Sequence, residues 1–233
     1  MPINGKSVTA LLPMKAHSER VTSKNFKNIA GKPLFRWILD NILLSNYIDQ
    51  VVINTDARII LEKNGINELT SRDKILIRDR PDNLCGDFVS MNLIIEDDIN
   101  TIKSDIYLMT HTTNPLLNTS TIDAMLLSFC KSLKSNFDSL FCVSEHKTRF
   151  YESDGTPINH DPKNLIRTQD LAPYYEENSC GYIFTRNSFN KTKARIGNSP
   201  QLFKTPPLES IDIDETDDWY LAESLLMRDT NNH

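Results

Sequence analysis

The chain has 233 residues, 39% of them hydrophobic and 24% charged, and its 26 Lys+Arg against 31 Asp+Glu leave a net charge of −5. This composition excludes a disordered or fibrous chain and allows one well-packed domain over 1–233, while the acidic balance lacks the basic face of a bulk nucleic-acid binder. No apolar run approaches the ~20 residues of a membrane-spanning helix, and the opening MPINGKSVTALLPM has no signal-peptide layout, so no membrane association and a cytoplasmic location are expected.

Residues 8–12 (VTALL) read as a first buried strand, and a polar loop follows over 14–32. Over 33–45, Leu34, Trp37, Ile38, Leu39, Ile42 and Leu43 recur at helical spacing behind Pro33, which suits a first turn. Residues 50–54 (QVVIN) predict a second strand, 57–64 a helix closed by Gly65, and 75–77 a weaker strand. Helix is predicted over 87–102 and 120–132, and strand over 105–109 (DIYLM), 139–143 (SLFCV) and 182–185 (YIFT). The last element is a helix over 216–227, with Thr216 as its N-cap and acids in its first turn.

Strand–helix alternation of this kind specifies an α/β fold: a mainly parallel sheet with helices on both faces, taking ligands in the loops after the strands' carboxyl ends. Residues 147–178 break the pattern with Pro157, Pro162, Pro173 and the turn-like Ser153-Asp154-Gly155. They read as an inserted excursion, either a lid or dimer-contact arm or an ordinary surface insertion.

Some chemistries are excluded. The seven glycines include no Gly-x-Gly pair, whereas dinucleotide fingerprints and P-loops need clustered glycines around phosphate. The four cysteines form no Cys-x-x-Cys and read as reduced, mostly buried thiols. There is no His-Glu-x-x-His and no Gly-x-Ser-x-Gly elbow.

Four stretches carry candidate chemistry. The loop after the first strand holds Lys15, Arg20, Lys24, Lys27, Lys32 and Arg36 against the single acid Glu19. A cationic loop at a strand's carboxyl end is either a polyanion site that offsets phosphate charge or a solvated surface. In Ser210-Ile211-Asp212-Ile213-Asp214 the alternation reads as a strand end with both carboxylates on one face. Such a pair repels unless a cation lies between, which suits Mg2+; otherwise it is a surface feature, with Asp217 and Asp218 serving the helix dipole. Residues 78–90 (RDRPDNLCGDFVS) are polar until they enter a helix, and 108–116 (LMTHTTNPL) end a buried strand in His111 and a hydroxyl-rich turn. His111 there is either a ligand contact or a structural histidine.

Taken in order, these stretches resemble the acylneuraminate cytidylyltransferase family, the CMP-sialic acid synthetases, over essentially the whole chain, with the Kdo cytidylyltransferases as more distant relatives. Met14-Lys15-x-x-Ser18-Glu19-x-x-x-x-Lys24-Asn25 and then Ala30-Gly31-Lys32-Pro33-Leu34 are similar to the family's Ala-Arg-x-x-Ser-Lys-x-x-x-x-Lys-Asn and Ala-Gly-Lys-Pro-Leu. Residues 51–56 (VVINTD) resemble its Val-Ser-Thr-Asp strand end, and Arg80-Pro81 with Asp87-x-x-Ser90 its Arg-Pro and Ser-Asp-Thr-x-Ser segment. Residues 109–116 are similar to its Leu-Gln-Pro-Thr-Ser-Pro-Leu turn, and Ser210-Ile211-Asp212-Ile213-Asp214 matches its Ser-Ile-Asp-Ile-Asp.

The resemblance implies a Rossmann-like nucleotidyltransferase fold, an inserted dimerisation or lid segment at 147–178, a homodimer, and transfer of CMP from CTP to a nonulosonic sugar acid, with release of pyrophosphate and a need for Mg2+. By the same resemblance, Lys15 and Lys24 would lie along the triphosphate, with Ser18, Asn25 and Asp87 on the nucleotide side and Arg80 and Ser90 at the cytidine. His111, Thr112 and Thr113 would face the sugar acid, and Asp212 and Asp214 would hold the metal. Lys15, Lys24 and Asp212 would carry catalysis, which in such reactions is mostly positioning and charge stabilisation. Departures from the family pattern are Lys15 for arginine, a glycine-free loop at 16–19, His111 for glutamine and Thr112 for the turn's first proline. They leave legionaminic or pseudaminic types of acid beside N-acetylneuraminic acid as acceptors. A different acceptor or NTP, or an inactive nucleotide-binding relative, are the alternatives.

Overall fold

A computed structural model of the protein describes Ile3 and residues 5–18, 21–69 and 72–230; Glu19 and Arg20 of the cationic loop lie outside the described residues. In chain order, β1 (Val8–Leu11) leads to a small hairpin, β2 (Asn28–Ile29) and β3 (Lys32–Pro33), and then to α1 (Leu34–Leu44). Next come β4 (Gln50–Thr55), α2 (Arg58–Lys63), β5 (Ile75–Asp79), α3 (Met91–Thr101), β6 (Ile106–Met109) and α4 (Thr119–Ser132). The chain finishes with β7 (Ser139–His146), β8 (Tyr174–Phe184), α5 (Arg186–Thr192), β9 (Pro200–Lys204) and α6 (Thr216–Thr230).

Seven strands form one sheet in the order β5-β4-β1-β6-β8-β7-β9, and β8 alone runs antiparallel to its neighbours. Alternate residues of each central strand enter opposite cores, as strand geometry requires. Val8 and Ala10 of β1 and Leu108 of β6 join Phe35, Ile38 and Leu39 of α1 and Met125 and Phe129 of α4. Leu11 of β1 and Tyr107 and Met109 of β6 join Ile95 and Ile99 of α3 and Phe189 of α5 on the other face. Helices therefore cover both faces, which is why the central strands are apolar almost throughout.

A third, smaller cluster places the carboxyl-terminal acids. Val21, Ile29 and Leu34 from the amino-terminal hairpin region pack with Ile213 and with Trp219, Ala222 and Leu226 of α6. Ile213 is fully buried in it, and burying such a side chain contributes about 2 kcal/mol. Residues 212 and 214 are consequently carried to the same edge of the sheet as the loop after β1.

Several expectations need correction. Residues 210–214 are not a strand end: Ile213 N–H donates to Thr113 O at 2.9 Å, outside any ladder of the sheet. Thr216 is the first helical residue rather than the N-cap; Asp218 Oδ2 accepts from the backbone N–H groups of Glu215 (2.7 Å) and Asp214 (3.0 Å) and so caps α6 from inside its first turn. The helix expected from residue 87 starts at Met91, because Ser90 is a true N-cap whose side chain accepts from Asn92 N–H. The excursion expected over 147–178 ends sooner. Residues 174–177 already belong to β8 and pair with Val143, Ser144, Glu145 and His146, and their exposed Tyr-Tyr-Glu-Glu run hid the strand. Helix α5 and strand β9 went unpredicted, since α5 rests on a Thr185–Ser188 capping box and one buried phenylalanine instead of an apolar stripe.

Candidate active site

The carboxyl ends of β1, β5 and β6 open onto a cavity of about 320 Å³. Its walls include Lys15, Ser18, Lys24 and Asn25 from the first loop, Arg80 and Asp87 from the segment after β5, His111, Thr112 and Thr113 after β6, and Asp212 and Asp214. Ser90 is set apart from the other predicted residues. It is not among the lining residues, and its hydroxyl is engaged in capping α3.

The first loop and the acids meet directly. Buried Lys24 donates from Nζ to Ile213 O at 2.5 Å and lies 3.6 Å from Asp214 Oδ1. Asn25 braces the site, donating to Lys15 O (2.8 Å) and accepting from Thr112 Oγ1 (2.6 Å), which ties the loop after β1 to the loop after β6. Lys15 forms an ion pair with Asp87 across the mouth, both side chains being about two-fifths exposed (40% and 43%). That pairing is weak by its exposure.

Arg80 is fixed from behind. It donates from Nε to Asn54 Oδ1 (2.9 Å) and from Nη2 to Asn54 O (2.8 Å) and Met14 O (3.1 Å). Asn54 is itself oriented by Asp98, which accepts from its Nδ2 at 2.9 Å and also pairs with Arg78. Burial raises the Asp98 carboxyl to about 6, against the opposing effects of Asn54 and Arg78. Asn54, Asp98 and Ser179 (in the left-handed region at φ 61°, on the cavity wall) carry no sequence signal of a site.

Asp212 differs from its neighbour. Its Oδ1 is buried without a hydrogen-bond partner, an expensive state for a carboxylate. Burial holds its pKa above the usual range, Thr113 opposes that by hydrogen bonding, and Asp214 adds repulsion. An orphaned carboxylate oxygen beside a second carboxylate fits a hard divalent cation such as Mg2+, which takes one or two carboxylates and completes its shell with water and phosphate. Among the described residues no group of three His, Cys, Asp or Glu side chains is placed to hold a metal, so this is a two-carboxylate donor set. The described cations of the wall, Lys15, Lys24 and Arg80, are matched one for one by Asp87, Asp212 and Asp214. A metal cation held by the acid pair would add positive charge for a bound polyphosphate.

His111 closes the far end. Its Nε2 is 3.3 Å from Arg195 Nη1 and its ring stands edge-on to Tyr182. Burial, then the charges of Arg195 and Lys24, push its pKa down to about 3. Arg195 also escaped the sequence reading, because it sits in an irregular connection between α5 and β9.

Known proteins of similar sequence and shape exist. Residues 9–225 match the family model described as Cytidylyltransferase. The chain is 26% identical to the pseudaminic acid cytidylyltransferase of Campylobacter jejuni, over 92% of this chain and 94% of that protein. It is 26% identical to the CMP-N,N'-diacetyllegionaminic acid synthase of Legionella pneumophila (94% and 96% covered). With the N-acylneuraminate cytidylyltransferase of Oncorhynchus mykiss it shares 27% identity over 96% of this chain but 51% of that protein. In fold it is similar to CMP:2-keto-3-deoxy-manno-octonic acid synthetase solved with CTP, at a TM-score of 0.67 and 13% identity, over 96% of this chain and 99% of that one. A 4-diphosphocytidyl-2C-methyl-D-erythritol synthase from Anaerococcus prevotii gives a TM-score of 0.68 at 12% identity, with 97% and 98% covered.

Proposed function

Because the chain belongs to the cytidylyltransferase family, we propose that it transfers CMP from CTP to a nonulosonic, sialic-acid-like sugar acid and releases pyrophosphate. The acids named in its relatives' activities, pseudaminic, legionaminic and N-acylneuraminic, support that acceptor class. One observation carries the reading: Lys24 and the Asp212–Asp214 pair share one wall of the cavity although Lys24 and Asp212 are 188 positions apart in the chain.

In this reaction the acceptor's anomeric hydroxyl attacks the α-phosphorus, the bond to the bridging oxygen of pyrophosphate breaks, and the hydroxyl proton leaves to solvent. Lys15 and Lys24 lie along the triphosphate and offset the charge that grows on the departing pyrophosphate. Arg80, immobilised by Asn54 and Met14 O, holds the nucleotide side with little entropy left to lose. Asn25 and Thr112 keep the two loops at a constant separation, so nucleotide and acceptor meet in register. Asp212 and Asp214 hold Mg2+, which when bound supplies Lewis-acid charge to the phosphate oxygens. Ser18 and Asp87 line the nucleotide side at the mouth, and Thr113 supports the acid pair through Asp212.

The protein acts in the cytoplasm as a homodimer, with the excursion between β7 and β8 as the contact arm; exposed Tyr151, Leu165 and Ile166 support that placement. No helix among the described residues is long and apolar enough to cross a membrane. Pyrophosphate release measured with each of the four NTPs against a panel of nonulosonic acids tests the reading. Turnover with CTP and at least one such acid is expected, and turnover only with another NTP or another acceptor class overturns it.

A further inference from the structure

We infer that Arg195 is a positioning residue that holds His111 as the neutral tautomer protonated on Nδ1, so that the imidazole offers the acceptor one hydrogen-bond donor and no base. Two elements, α3 and β8, converge on Arg195. Its backbone N–H donates to Asn92 Oδ1 at 3.2 Å, its guanidinium carbon lies 3.7 Å from the centre of the Tyr182 ring, and Nη2 is 3.2 Å from Glu177 Oε1. Tyr182 donates its hydroxyl to the same Glu177 oxygen. The guanidinium is thus stacked on one face and clamped at one end, and its other end, Nη1, points at His111 Nε2 from 3.3 Å.

A guanidinium has five donors, no acceptor and a permanent charge. The imidazole nitrogen facing it therefore has to present a lone pair, which puts the single proton of neutral histidine on Nδ1. No hydrogen bond joins Nδ1 to a described residue, and His111 lines the cavity. The charged groups around the ring are Arg195 and Glu177 beside it, with Lys24 from the first loop. Two of these three are cations, and with burial they keep the ring unprotonated down to about pH 3.

Two consequences concern the acceptor. An oxygen that accepts hydrogen bonds (a carboxylate, carbonyl or ether) suits the position opposite Nδ1, whereas an amine or N–H group does not. The free nitrogen has no lone pair for the anomeric proton, so His111 is excluded as the general base. Only the identity of the acceptor rests on the cytidylyltransferase reading; the tautomer does not.

The test starts with the unaltered protein. Long-range 15N–1H spectra of His111 between pH 5.5 and 8 are expected to show a pyridine-like Nε2, a pyrrole-like Nδ1 and no titration. A proton on Nε2, or titration near the ordinary histidine value, overturns the inference whether or not any substrate has been found. The variants Arg195→Gln and Arg195→Lys add a kinetic arm. Arg195→Gln should mix the two tautomers and raise the KM for the sugar acid roughly tenfold, the worth of one hydrogen bond, with KM for CTP and melting temperature little changed. Arg195→Lys, which keeps the charge and a donor, should recover most of that loss. Wild-type tautomer and acceptor KM in Arg195→Gln also overturn it.

Discussion

At the acidic wall of the cavity, Lys24, Ile213 and Asp214 are joined within a few ångströms by one buried lysine, and each of them belongs to a stretch that stands out in the sequence. At the opposite end, His111 is set by Arg195, Tyr182 and Glu177, which come from a connection and from a strand and form no recognisable pattern. At the acidic wall Asp212 and Asp214 repel one another, and Asp212 Oδ1 is buried without a hydrogen-bond partner. The His111 end is already satisfied: its arginine is stacked and paired, and burial beside two cations keeps its histidine neutral. Unsatisfied charge is thus concentrated at one end of the cavity and partnered side chains at the other, a contrast that suits the proposed binding of charge at the first and orientation of an acceptor at the second.

Removing the strained charge should break this contrast most forcefully. Asp212→Ala and Asp214→Ala are each expected to lower turnover roughly 100-fold or more. Because the Asp212 carboxylate is buried and partly unpartnered, Asp212→Ala should leave the melting temperature of the ligand-free protein unchanged or raise it. Near-wild-type activity in both variants would remove the acid pair from the mechanism. Next in size is Lys24→Met, expected to cost roughly 30-fold in kcat/KM. If the lysine serves only as a prop for Ile213 O, stability falls and kcat/KM does not, and steady-state kinetics beside thermal melting separates the two.

A pH experiment sharpens the comparison from behind Arg80. Asp98 ionises near 6 in the folded protein, above its unfolded value, so the unfolded chain releases that proton first. Its contribution to stability is fully present below about pH 4 and declines as pH rises to about 6. In urea denaturation the wild type should lose ~1–3 kcal/mol relative to Asp98→Asn across that window and nothing further above it. A difference that does not change with pH contradicts the assignment. The smallest effect is expected from Asp87→Asn at the exposed mouth. Stability should change by less than ~0.5 kcal/mol, and, with the triphosphate placed as proposed, KM for CTP should fall slightly as a facing carboxylate is removed; a large rise would instead favour the direct nucleotide contact that the family resemblance implies for Asp87.

The acidic wall was legible because each of its parts is a short polar run at the end of an apolar one, and such runs keep their meaning without knowledge of the fold. Strands β1, β4 and β6 and helices α1 and α4 were legible for a related reason, since burial on both faces or along one stripe leaves a periodic apolar record. Strand β9, helix α5 and the outer half of β8 were not, because their residues are exposed or polar and are held by capping, pairing and single buried side chains. The same property concealed Asn54, Asp98 and Arg195, whose importance lies entirely in what they touch.

By itself, then, the amino-acid sequence determined the α/β class, the cationic loop after the first strand, the acidic pair near the carboxyl end and the family to which both belong. Tertiary structure decided that these two ends meet, since Ile213 is drawn into a core shared with Val21, Ile29 and Trp219. It also decided that Arg195 faces Nε2 of His111. Both are questions of contact between distant residues, and contact is created only when burial of apolar surface brings the chain's remote parts together.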